Sequence, residues 1–166
     1  MRMIVCALLT TALLAGCGGD SEQEPAARES PAPAETQAPA DAEAAVKKTF
    51  DEYNQALADR DWEAACDRLA PETSEKLREN VKKLGLKDPP QDCDELLGKV
   101  YETADQDPQQ KDLLDEIVNS AKVDSIDVQG ETATINWSAK VQGQNTPISQ
   151  TARLIDGEWK LVDVTN

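Results

Sequence analysis

The sequence predicts an α+β domain in which N-terminal helices pack on a four-stranded antiparallel sheet. Apolar residues recur at helical spacing from Val46 to Val118, and the period then changes to two from about Lys122. Asp156-Gly157, set between two alternating runs, is a strong hairpin signal. Helices first and strands afterwards make an α+β layer architecture. The domain assigned to residues 42–166 has about 125 residues, enough to bury one sound core but not two.

Ahead of the domain, Arg2 precedes an apolar run from Ile4 to Leu14 that ends in Leu14-Ala15-Gly16-Cys17. The run is too short to cross roughly 30 Å of hydrocarbon and lacks the flanks of a stop-transfer helix. It resembles the signal and lipobox of bacterial lipoproteins. That resemblance implies a signal peptide over residues 1–16, cleavage before Cys17, and lipid (palmitate-type acyl) attachment at the Cys17 thiol. The mature protein is then expected outside the cytoplasm, in the cell envelope, with the bilayer as its partner. Each buried CH2 of an acyl chain adds about 0.8 kcal/mol, so several chains make a stable anchor. Cys6 leaves with the signal.

Residues 17–41 read as the lipidated cysteine followed by a linker. Gly18 to Ala40 carries prolines at 25, 31, 33 and 39 and no apolar side chain larger than alanine. Nothing there offsets the entropy of ordering, so a disordered tether is expected. At about 3.1 Å per residue it spans roughly 70 Å when fully extended. The chain has a formal charge of −15, and loss of Arg2 with the signal makes it −16. Such a surface repels nucleic acid phosphates and anionic headgroups, which excludes nucleic acid as a partner.

Within the domain, Asp41 is placed to cap a first helix whose inner face is Val46, Phe50, Tyr53 and Leu57. Asp61 caps a second, shorter helix with Trp62, Ala65, Cys66 and Leu69 inward. Pro71 suits the first turn of a third, with Leu77, Val81 and Leu84 inward and Gly85 as its stop. Leu86 to Gln91, with Pro89-Pro90, forms a loop. Asp92 starts a fourth helix that presents Cys93, Leu96, Leu97, Val100 and Tyr101. After Asp107-Pro108 a fifth carries Leu113, Leu114, Ile117 and Val118.

Val123 to Gln129 reads as a strand closed by Gly130. From Thr132 to Val141 the alternation is clearest, with Ala133, Ile135, Trp137, Ala139 and Val141 on one face. A turn around Gly143 to Asn145 leads to a strand over Thr146 to Ile155, and Glu158 to Val164 closes the chain.

Cys66 and Cys93 are the two thiols of the domain, and outside the cytoplasm an even pair becomes a disulfide. It closes a loop of about 27 residues, worth roughly 3.5 kcal/mol on a chain-entropy estimate. There is no Cys-x-x-Cys for redox catalysis. Without a single histidine, two cysteines do not complete a zinc site, so no metal and no cofactor are expected. Acid clusters at Asp92–Glu95 and Asp112–Glu116 match helix starts and solvated faces rather than a calcium loop. No nucleophile elbow, phosphate loop or paired-glycine fingerprint is present.

Phe50-x-x-Tyr53, then Asp61-Trp62-Glu63-Ala64-Ala65-Cys66 and Leu69-Ala70-Pro71, precede a closing hairpin from Arg153 to Leu161 that contains Asp-Gly-Glu-Trp-Lys-Leu. Together these resemble the nuclear-transport-factor-two-like, or cystatin-like, superfamily, and within it secreted actinobacterial-type lipoproteins of unknown function. The resemblance covers about residues 43 to 165. It implies a curved antiparallel sheet wrapped around helices, a cystatin-like cone able to hold an apolar pocket. The long helical stretch from 92 to 120 departs from simpler members and is placed to cap or fill that pocket.

Enzymes of the superfamily, such as ketosteroid isomerases and dehydratases, set an acid or base among apolar walls. With no histidine, a general base here has to be a carboxylate with its pKa raised by burial. Asp163 shares strand parity with Trp159 and Leu161, and Tyr53 is the matching hydrogen-bond donor. The bland readings are a terminal strand with Asp163 in water, and core packing for Tyr53, Trp137 and Trp159. Tyr53, Trp137, Trp159 and Asp163 are therefore the candidate pocket, with no catalytic residue assigned. The expected function is a non-catalytic module that binds a small apolar ligand or another envelope protein. The alternative is a pocket enzyme of the isomerase or dehydratase type.

Overall fold

The computed structural model describes residues 39–83 and 85–162. The expected signal peptide, Cys17, nearly all of the linker, Leu84 and Asp163 lie outside the described residues. What is described is an α+β fold: five helices packed on an open four-stranded antiparallel sheet.

Helix α1 (Pro39–Asp59) starts two residues before Asp41, so Asp41 is a first-turn acid rather than the cap. Proline has no N–H to lose and a helical φ, so Pro39 opens a helix as readily as it ends a linker. In α2 (Trp62–Asp67) the Asp61 side chain accepts a hydrogen bond from the Ala64 N–H at 3.1 Å. Helix α3 (Pro71–Lys83) buries Leu77 and Val81, and Gly85 follows at φ 100, a conformation suited to glycine. Helix α4 (Cys93–Asp105) follows Asp92, whose side chain makes no capping hydrogen bond. In α5 (Pro108–Ser120) the Asp107 carboxylate accepts from the Gln109 N–H at 2.9 Å.

Strands β1 (Lys122–Gln129), β2 (Thr132–Val141), β3 (Gln144–Ile155) and β4 (Glu158–Leu161) form a meander in sequence order. β3 begins two residues earlier than its pattern suggests. Gln142 and Gly143, at φ 54 and 78, make a tight two-residue turn, so polar Gln144 and Asn145 already pair with Val141 and Lys140. β4 ends at Leu161 rather than continuing to Val164 within the described residues. Its outer edge is covered by the α2–α3 connection: Leu161 N–H donates to Arg68 O at 2.8 Å, and Ala70 N–H donates to Leu161 O at 2.9 Å. Buried Thr73 adds a hydroxyl that donates to Leu161 O and to Val162 O, at 2.9 and 2.7 Å.

The interior has two clusters. Val46 and Phe50 from the first half of α1 pack with Ile135, Ala152, Trp159 and Leu161 of the sheet. Leu57, Ala65, Leu77, Val81, Leu96 and Tyr101 form a helix-on-helix cluster. Tyr53 and Cys93 border both. A Cys66–Cys93 disulfide joins α2 to α4 across a Cα separation of 5.9 Å. Close by, Gly98 leaves room for Trp62, whose indole sits 3.3 Å from where a Cβ would be. Trp62 in turn lies on Tyr101 at 4.7 Å between ring centres. The Arg60 guanidinium covers both rings while gripping the Asp105 carboxylate with two hydrogen bonds of 2.9 and 3.0 Å.

Candidate functional site

Helix α5 is unusual in having no fully buried residue, although Leu114, Ile117 and Val118 form an apolar face. Its C-terminal half is held to the sheet by polar contacts. Ser120 Oγ accepts from the Lys140 N–H at 2.7 Å, and Glu116 Oε1 accepts from the Gly143 N–H at 3.0 Å. The apolar face of the helix lines a cleft of about 690 Å³. That volume lies within the roughly 300–1,000 Å³ of small-molecule sites. The helical stretch expected to cap or fill a pocket thus forms its roof and leaves it open.

The floor is the inner face of the sheet, where Trp137 of β2 pairs with Ile148 of β3. One wall is α1, from which Phe50, Tyr53 and Leu57 reach the cleft. These positions are separated by three and four residues, so they share a helix face. Phe50 meets the Trp137 ring at 5.4 Å, which fixes that indole against the helix. Leu97, Val100 and Tyr101 of α4 line the far side.

Polar side chains also line this cleft, and one of them is buried without a partner. Trp137 Nε1–H is buried and finds no acceptor. The Tyr53 hydroxyl makes no hydrogen bond among the described residues. Burial pushes its pKa well above the ordinary value, with the Tyr101 hydroxyl adding to the effect, so the phenol stays protonated as a donor. Gln150 is only 5 % exposed and lines the cleft. Buried polar groups are nearly always paired, and an unpaired one costs about 1–3 kcal/mol. No charged side chain lines the cleft among the described residues.

Of the residues expected to form a pocket, the structure brings Tyr53 and Trp137 together in this cleft. Trp159 is buried in the sheet core beside Val46 and Leu161 and does not line it. Asp163 lies outside the described residues. Sequence reasoning missed Gln150. The available signal was an amide at a middle position of the inward row Thr146, Ile148, Gln150, Ala152, where alternation calls for an apolar residue.

Two other hollows offer less. One of about 520 Å³ beside Val81, Leu86 and Leu113 has Thr103 and Gln110 as polar lining, both exposed. One of about 850 Å³ is polar and ringed by Asp107, Asp112 and Glu116. Among the described residues, no three His, Cys, Asp or Glu side chains gather as a metal site. No described helix is long and apolar enough to cross a membrane. The chain matches no protein-family model, no curated protein and no solved structure.

Proposed function

We propose that this protein is a lipid-anchored extracytoplasmic lipoprotein whose folded domain is a non-catalytic binding module for a small, mainly apolar ligand. The observation that carries the reading is the cleft under α5, with apolar walls, no charged lining among the described residues, and a buried Trp137 N–H lacking a partner. Leu14-Ala15-Gly16-Cys17 supports the anchor. The Cys66–Cys93 disulfide supports an oxidising compartment. A helix-backed meander enclosing a hollow supports the likeness to a nuclear-transport-factor-two-like cone. The isomerase-type alternative needs a carboxylate beside the bound ligand, and no described carboxylate lines the cleft.

The test is native mass spectrometry of the protein released gently from its host's envelope. The expected result is a disulfide-bonded chain, acylated at Cys17, carrying one small molecule of defined mass. An unacylated Cys17 overturns the anchor. A bare domain that also fails to take up either probe named below overturns the binding module.

A further inference from the structure

We infer that the cleft selects an uncharged acyl ester, a fatty chain ending in a neutral ester or glyceride head, and that Gln150 is its specificity-determining residue. The inference rests on the binding reading above and names the ligand class.

The argument starts from which polar atoms are available. Trp137 Nε1–H can only donate, the protonated Tyr53 hydroxyl donates and accepts, and the Gln150 amide does both. All three line the cleft, and register sets two of them side by side at one end of its floor. Trp137 pairs with Ile148, which puts Gln150 at the diagonal position on the neighbouring strand, about 7–8 Å away. Tyr53 follows Phe50, the residue in contact with Trp137, by one helical turn. A head with a carbonyl oxygen and a hydroxyl answers two donors and an amide. The far side and the roof, by contrast, present Leu97 and Val100 of α4 and Leu114 and Val118 of α5, which suit an alkyl chain.

Charge decides between the acyl ester and the free fatty acid. A carboxylate drawn into this end meets no cation in the lining, within a chain whose formal charge is −15. An unpaired buried charge is far more costly than a neutral carbonyl that takes hydrogen bonds. The free protein meanwhile bears the cost of a buried Trp137 N–H with no acceptor. That cost is recovered only when a ligand supplies one.

The experiment uses the full-length chain carrying Cys17→Ser, made unacylated under oxidising conditions. It is titrated calorimetrically with 1-monolauroylglycerol and with laurate, below their micelle concentrations and at mildly alkaline pH where laurate is ionised. The two probes share an alkyl chain. The expected result is that the ester binds at least about tenfold more tightly than the carboxylate. Gln150→Leu is expected to weaken ester binding about tenfold, because it removes the amide that meets the head. Trp137→Phe keeps the ring, removes the N–H, and is expected to weaken the ester in the same direction. Equal affinity for both probes, or ester binding unchanged in Gln150→Leu and Trp137→Phe, overturns the selectivity and leaves the cleft as an apolar site. Binding of neither probe overturns the site as well.

Discussion

Burial keeps two phenols, Tyr53 and Tyr101, from ionising. Burial pushes the Tyr101 hydroxyl up from 10 to about 12, against a lowering by the Arg60 guanidinium and with a further rise from Asp115. Tyr53 moves in the same direction. In the unfolded chain both lose a proton near pH 10, whereas the folded protein holds them. Alkali therefore favours the unfolded state. Stability is expected to be intact below pH 10 and to fall as the pH climbs from 10 toward 12. Melting temperatures measured across that interval check this, and Tyr101→Phe is expected to make the decline shallower. A flat profile in the wild-type protein sinks the argument. The same residues mark how far the site was legible. Tyr53 and Trp137 followed from periodicity, which tells which face a side chain occupies. Trp159 shares that sheet face yet sits in the core beneath α1, because periodicity says nothing of position across the sheet. Gln150 escaped because glutamine in a strand reads as a solvent-facing residue until the register with Ile135 places it inside.

At the scale of elements, the apolar period revealed all five helices and all four strands, and ends were where it erred. Polar pairs such as Gln144-Asn145 extend a strand through backbone hydrogen bonds that carry no hydrophobic signal. Among the described residues the disulfide is the one covalent link between elements, tying the short helix α2 to α4 around the proline loop. Helix α2 has six residues and little stability of its own. Cys66→Ser/Cys93→Ser is therefore expected to lose about 2–4 kcal/mol in denaturant unfolding monitored by circular dichroism. Loosening should begin where Trp62 leans on Gly98 and Tyr101. A loss below about 0.5 kcal/mol would mean that packing alone holds α2.

For the whole molecule the excess of acids matters more than any single ion pair. Pairs such as Lys47–Asp51 and Lys99–Glu102 are exposed, at 2.6 and 2.7 Å, and such pairs are worth little. The formal charge of −15 makes the compact state repel itself. Salt shortens the screening length from about 10 Å at 0.1 M to about 3 Å at 1 M. Added sodium chloride should thus raise the melting temperature, and a steady fall with salt would show that local pairs dominate instead. The two interior clusters have a different consequence, one of timing. Every fully buried member of the helical cluster, and both cysteines, lie before residue 106. Ala42, Val46 and Phe50 instead wait for Trp159 and Leu161, and the Thr49 hydroxyl donates to the carbonyl of Trp159, 110 residues away. During synthesis the first half of α1 thus stays incompletely packed until β4 has emerged, and the opening helix of the fold is sealed by its closing hairpin.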